Sequence, residues 1–450
     1  MKKIRIGSGA GYAGDRIEPA IELMEKGNLN YIIFECLAER TIAIGQQDKM
    51  KDPSRGYNQL LEMRMEKILK LAKENHIKVI TNMGAANPIS AMEVSVEIAK
   101  KQGITGLKFA AVTGDDILGQ IESYYDNDVL ELDCKLGEIK EDLLSTNVYL
   151  GCDGILEALE NGADIIITGR VSDPALSIAP LIHEFGWNVD DNPDQMGQAV
   201  LVGHLLECAG QVTGGYYADP GIKDVPNLER LGFPLIEIDE TGAFVVTKVE
   251  GSGGMVTEDT CKEQMIYEIH NPERYMTPDA IADFSKVTFT QIGPDRVKAE
   301  HATSHTKPET LKVSIGYKDC FIGEGEISYG GANSMNRAKL AADIIEKRLD
   351  IIGAETEELR FDYIGFNSLY KNKISNQFAP EIFPEVRLRV SARTKDRKNA
   401  ALIGNEVEAL YTNGPAGGAG AVKKVSEVVS ICSIFVPRDI VDIKVSYKEV

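Results

Sequence analysis

Over the first two hundred residues one pattern recurs: a short apolar, β-branched run, then Gly, Asn or another polar residue, then a stretch of helical periodicity. Ile4-Arg5-Ile6 leads into Gly7-Ser8-Gly9-Ala10-Gly11, Tyr31-Ile32-Ile33-Phe34 into Glu35, and Val79-Ile80-Thr81 into Asn82-Met83-Gly84. The run from Leu107 to Val112 ends at Thr113-Gly114-Asp115-Asp116, and Ile165-Ile166-Ile167 ends at Thr168-Gly169-Arg170. Between the runs lie helix candidates such as 58–75, where Leu60, Leu61, Met65, Ile68, Leu69 and Ala72 form one apolar stripe. This alternation predicts parallel βα units. Polar residues that follow the strands then gather at one sheet edge, beyond the strand carboxyl ends, where open parallel sheets bind ligands.

After about residue 220 the pattern changes. Phe244-Val245-Val246, Val287-Thr288-Phe289-Thr290, Val297-Lys298-Ala299 and Leu311-Lys312-Val313-Ser314-Ile315 are short runs separated by Gly, Pro and Asp, which predicts a β-rich or mixed segment. A long helix from Ser334 to Leu349, a strand over Val386–Val390, a helix from Lys398 to Leu410 and a glycine-rich turn at Asn413–Gly418 follow. The expected class is α/β, a parallel βα sheet N-terminal domain with a mixed α/β C-terminal half. The expected divisions are a ligand-binding domain over 1–220, an insertion over 221–333 and a C-terminal unit over 334–450. At 450 residues, more than one hydrophobic core is required.

Composition narrows the setting. A net charge of −20 argues against nucleic-acid binding, which needs a basic face to neutralise phosphates. No run approaches the roughly 18 apolar residues of a membrane span, and Met1-Lys2-Lys3 leads directly into a strand rather than an apolar signal region. The expected location is cytoplasmic, and the seven scattered cysteines, without a CxxC pair, fit reduced thiols.

Three segments carry candidate chemistry. The glycine segment Gly7-Ser8-Gly9-Ala10-Gly11, continuing to Gly14 and Asp15, stands between a strand and a helix, where backbone amides can approach an anion. It contains a GxGxxG spacing that starts late relative to the strand, so a dinucleotide, another anion or thioester, and a plain tight turn all stay open. Gly7, Ser8, Gly9, Gly11 and Gly14 are its cofactor-binding candidates. At the strand ends Glu35, Asn82, Arg170 and Ser172 are substrate-binding candidates. A guanidinium in Gly169-Arg170-Val171-Ser172-Asp173 can grip a carboxylate bidentately, with Asp173 as an orienting or catalytic acid. His204, Glu207 and Cys208 are spaced i, i+3, i+4 and share a helix face. That spacing suits proton transfer by a histidine held by a carboxylate. Helix packing is the structural alternative, and metal ligation is the poorer one, since no second His or Cys pair accompanies it. His204 and Glu207 join Asp173 as catalytic candidates, and no metal is expected.

These strings, with Gly9-Ala10-Gly11-Tyr12-Ala13-Gly14-Asp15-Arg16, Thr213-Gly214-Gly215, Tyr275-Met276-Thr277-Pro278-Asp279 and Asn413-Gly414-Pro415-Ala416-Gly417-Gly418, resemble the acyclic terpene utilisation (AtuA-type) family over nearly the whole chain. The resemblance implies bacterial catabolism of carbon skeletons carried as coenzyme A thioesters, without fixing a reaction. Some relatives carry or neighbour a small domain of about one hundred residues, an ordinary size for a small domain. The resemblance thus implies a small partner protein here, and a homo-oligomer is the expected assembly. The functional expectation is a lyase, hydratase or isomerase of carboxylic acid or acyl-coenzyme A catabolism that works by acid/base chemistry. The alternative is an accessory subunit that binds an acyl-coenzyme A or nucleotide and docks to a partner enzyme. A nicotinamide-dependent oxidoreductase is disfavoured by the offset glycine spacing.

Overall fold

A computed structural model describes residues 2–450. The recurring apolar runs form strands β1 (Lys3–Ala10), β2 (Tyr31–Phe34), β3 (Lys78–Thr81) and β4 (Lys108–Thr113), with a fifth at Ile165–Thr168. They pair in parallel in the order β1, β2, β3, Ile165–Thr168, β4, so all five carboxyl ends lie on one edge. The class is α/β, as the alternating pattern predicts.

Strand side chains sort to two faces with the period of two that a pleat imposes. Ile32 and Phe34, Val79, Phe109 and Ala111, and Ile165 and Ile167 share one apolar cluster with helices Glu18–Lys26, Leu61–Glu74 and Pro88–Lys101. Their alternates, Ile33, Ile80, Ala110 and Ile166, are equally buried and face the layer that contains helices Ala175–Phe185 and Pro193–Glu207. The predicted stripe over 58–75 is the helix Leu61–Glu74.

The segment after residue 220 continues the same sheet. Pro234–Asp239 lies antiparallel to β1, and Phe244–Lys248, Arg296–Glu300 and Thr288–Gly293 extend that side in turn. The last strand, Lys444–Glu449, closes the far edge antiparallel to β4.

By internal contacts the chain divides into two compact units, Met1–Gly316 with Ile431–Val450, and Tyr317–Ser430. The second runs strand, helix, strand, strand, helix, strand, with one short helix, Lys371–Ser375, between its middle strands. Its sheet order is Glu358–Ile364, Glu385–Thr394, Thr310–Gly330, Gly418–Pro437, the split βαβ arrangement of ferredoxin-like domains. Val386, Leu388, Val390 and Ala392 pack with helices Ser334–Ile352 and Arg397–Asn413. The alternate positions carry Arg387, Arg389 and Arg393, which pair with Glu326, Asp362 and Asp319. Among the described residues no helix is long and apolar enough to cross a membrane.

Candidate functional site

At the carboxyl edge of the parallel strands, a cleft of about 650 Å³ is bordered by Gly11, Glu35, Tyr149, Arg170, Asp173 and Glu207. Residues from beyond 220, including Phe233, Tyr267 and Glu268, form part of its wall. Of the polar residues that follow the parallel strands, Glu35 and Arg170 line it, while Asn82 and Asp115 stand behind them. Asn82, fully buried, donates its side-chain amide to Glu35 Oε1 at 3.0 Å and accepts the Cys36 amide at 2.7 Å. Asp115 accepts the Arg170 backbone amide and the Asn147 side-chain amide, both at 2.9 Å. Burial pushes the Asp115 carboxyl up to about 6 against those hydrogen bonds.

Arg170 is 1% exposed, and its guanidinium is largely engaged within the chain. Nε donates to the Val171 carbonyl at 2.7 Å, Nη1 to the Leu37 carbonyl, and Nη2 to Val171 and to Asp173 Oδ1. Those four hydrogen bonds leave one of its five N–H groups, too few for the bidentate grip on a ligand carboxylate that its turn suggests. Its Cζ lies 4.6 Å from the centroid of the Tyr149 ring, a cation–π contact. The Tyr149 hydroxyl in turn donates to Glu39 Oε1 at 2.5 Å. Burial opposes ionisation of Glu39, yet this hydroxyl, Lys312 and Arg170 hold its carboxyl below the usual range.

Glu35 and Glu207 shift the other way. Burial, reinforced by the Asp173 carboxylate, holds Glu35 well above the ordinary carboxylate range, against Arg170 and the amides of Leu37 and Asn82. Burial likewise raises Glu207, against the pull of His204. Glu207 sits at the end of the helix Pro193–Glu207, buried from Met196 onward on every side, as befits a helix inside a large core. Two close approaches set its position. A Cβ on Gly203 would lie 2.5 Å from Pro174 Cα, and one on Gly11 would lie 2.5 Å from the Cys208 carbonyl carbon, so any side chain there would push helix and loop apart.

His204 does not open onto the cleft. It is 1% exposed, and its ring lies beside Tyr275 and Phe284, with centroids 5.2 and 6.0 Å away. Nε2 lies 3.0 Å from the Met265 carbonyl and Nδ1 lies 2.7 Å from Glu207 Oε1. A carbonyl only accepts, so Nε2 carries a hydrogen, and a single further proton is shared between Nδ1 and Oε1. Burial works against the imidazolium, but Glu207 and the Met265 carbonyl raise the pKa of His204 overall. The other carboxylate oxygen, Glu207 Oε2, is buried without a partner. The contact predicted from the i, i+3 spacing is present: Glu207 lines the cleft, and His204 lies behind it, hydrogen-bonded to its carboxyl.

The glycine segment differs from a phosphate loop. Gly7, Ser8 and Gly9 lie inside β1. A Cβ on Gly9 would lie 2.5 Å from the Phe34 ring and one on Gly7 2.7 Å from Leu29, so these glycines serve strand packing. Beyond the strand, Asp15 itself accepts the amides of Gly11 at 2.9 Å and Arg16 at 2.8 Å, placing a carboxylate where an anion would have to bind. Gly14 borders a separate apolar chamber of about 410 Å³ with Cys36, Leu37, Ile44 and Leu60. Ser172 lines a third cavity of about 250 Å³ with Glu39, Tyr149, Asp173 and Lys312. Sequence reasoning missed Tyr149 and Lys312. Tyr149 follows a strand, Leu143–Val148, whose run carries Ser, Thr and Asn and so lacks a strong apolar signal. Among the described residues no group of three or more His, Cys, Asp or Glu could hold a metal ion.

The family profile described as acyclic terpene utilisation family protein AtuA matches residues 4–447. No curated protein and no solved structure matches the chain. With nearly every residue inside the matched span, the chain belongs to the acyclic terpene utilisation family.

Proposed function

We propose that this chain is an acid/base enzyme, a lyase, hydratase or isomerase acting on a carboxylic acid or its coenzyme A thioester. Glu207 Oε2 removes or returns the substrate proton. The observation that carries this reading is the division of labour in the dyad: one Glu207 oxygen is fixed 2.7 Å from His204 Nδ1, and the other is buried, unpartnered, on a residue that lines the cleft. A carboxyl so held needs little reorganisation when a proton moves, and positioned acid/base groups contribute about a hundredfold to ten-thousandfold in rate. Glu35, held toward its protonated form by burial, is the complementary acid for a developing oxyanion or a departing hydroxyl. Membership of a family named for acyclic terpene utilisation supports a catabolic role.

The test is solvent deuterium exchange. The protein is incubated in D₂O with 3-methylbut-2-enoate or its coenzyme A thioester, and incorporation beside the carbonyl or at the allylic carbons is followed by NMR. The native protein is expected to label one of the two, and Glu207→Gln to slow labelling by about a hundredfold or more with an unchanged melting temperature. Labelling undiminished in Glu207→Gln, or absent with both compounds in the native protein, overturns the reading.

A further inference from the structure

We infer that the cavity bordered by Ser172 and Lys312 is the subsite for the anionic end of the substrate, a free carboxylate, while the reacting carbon lies at Glu207 in the neighbouring cleft. The inference rests on the acid/base reading above and narrows its substrate to the acid rather than the thioester.

The charges of the two cavities differ. The cleft is bordered by six acids, Asp15, Glu35, Glu39, Asp173, Glu207 and Glu268, and by one cation, Arg170, whose donors are mostly bound to the chain's own carbonyls. Even with Glu35 and Glu207 held toward their neutral forms, a carboxylate entering there meets more acidic groups than cations. The second cavity shares Glu39, Tyr149 and Asp173 with the cleft, so the two lie side by side. Both shared acids already have partners: Asp173 is paired with Arg170, and Glu39 accepts the Tyr149 hydroxyl.

Beside the hydroxyls of Tyr275 and Thr310, two donors stand out in the second cavity. Ser172 is 6% exposed, and its Oγ has no hydrogen-bond partner, an arrangement that is unfavourable unless a ligand or water completes it. Lys312 Nζ lies 3.4 Å from Glu39 Oε1 and 5.3 Å from the Tyr149 ring centroid, leaving further ammonium hydrogens free. Pro174, Pro278 and Pro308 form rigid walls around them. One cation and one unpaired hydroxyl in a rigid pocket of about 250 Å³ match a carboxylate, with the Lys312 ammonium supplying charge and Ser172 direction. Lys312, not Arg170, is then the residue that selects an acid.

The experiment compares 3-methylbutanoate with its uncharged methyl ester by thermal shift and calorimetry on the full chain. The acid is expected to raise the melting temperature and the ester to have no effect at equal concentration. Lys312→Met is expected to weaken acid binding at least about tenfold, as loss of a hydrogen bond to a charged group does, and Ser172→Ala by a smaller factor. Lys312→Gln guards against a packing artefact, since it keeps a polar, hydrogen-bonding end only one atom shorter and without the charge. Equal binding of acid and ester, or undiminished acid binding in both Lys312 variants, overturns the subsite even if deuterium exchange stands. Carboxylate-selective, Lys312-dependent binding without deuterium exchange upholds the subsite and sinks the acid/base reading instead.

Discussion

Carboxylates are treated in opposite ways in the two compact units. On the open face of the ferredoxin-like sheet, acids have arginine partners: Asp362 meets Arg360 on its own strand and Arg389 on the next, each at 2.7 Å, and Glu326 and Asp319 meet Arg387 and Arg393 across strands. The arginines of these pairs stay about one-third exposed, and even Asp362, itself buried, has two of them as partners. In the cleft of the first unit, six acids face a single arginine, and burial drives Glu35 and Glu207 toward their neutral forms. A pattern of matched charges maintains a surface. An excess of buried, incompletely bonded carboxyls costs stability, and such strain is tolerated where chemistry needs it.

The sharpest way to break this contrast is to remove the one cleft cation. Arg170→Met leaves Asp173 without its partner and frees the carbonyls of Leu37 and Val171, and should destabilise the fold by about 3–5 kcal/mol, the usual range for one half of a buried ion pair. Chemical denaturation measures it, and a loss near zero would make Arg170 a ligand contact rather than a structural tie. Glu35→Gln should move stability in the other direction. A carboxyl whose folded pKa lies above its unfolded value contributes stability below the unfolded pKa, and that contribution disappears as pH rises through the folded value. Glutamine keeps the hydrogen bonds from Leu37 and Asn82 without the ionisation, so its melting temperature should exceed the native one by about a few degrees at pH 8. The difference should shrink toward pH 5, and a gain that grows on acidification contradicts the burial argument. The smallest effect belongs to the paired sheet face. Asp362→Asn should cost about 1 kcal/mol or less, because Arg360 and Arg389 remain about one-third exposed and can be solvated. A loss as large as that of Arg170→Met would erase the distinction between the units.

Much of the scaffold is legible in the chain because burial on both faces leaves continuous apolar strands, and the Gly, Asn and Asp that follow mark their ends. The i, i+3 spacing of His204 and Glu207 is equally local, so their contact could be read from residue order. Three features could not. Pro234–Asp239 joins β1 across more than two hundred residues, a pairing that no local pattern specifies. The roles within the dyad depend on Met265, whose carbonyl reaches His204 from a distant segment. Lys312 looked like an ordinary polar position in a short strand, since nothing nearby in sequence shows that Tyr149 and Ser172 border the same cavity. Glycines misled for the opposite reason: a residue required for tight strand packing and one required for anion contact are the same letter.

The carbonyl of Met265 also gives the dyad an isotopic memory. With Nε2 tied to it, His204 cannot rotate to pass a proton onward, and its enclosed ring offers water no route to Nδ1. Under the proposed acid/base role, a hydrogen lifted by Glu207 would then have two exits: back to the substrate, or out through the cleft by way of Oε2. Tritium at the abstracted position should return to the same molecule in competition with wash-out. The retained fraction would then measure return of the proton to the substrate against its exchange with solvent.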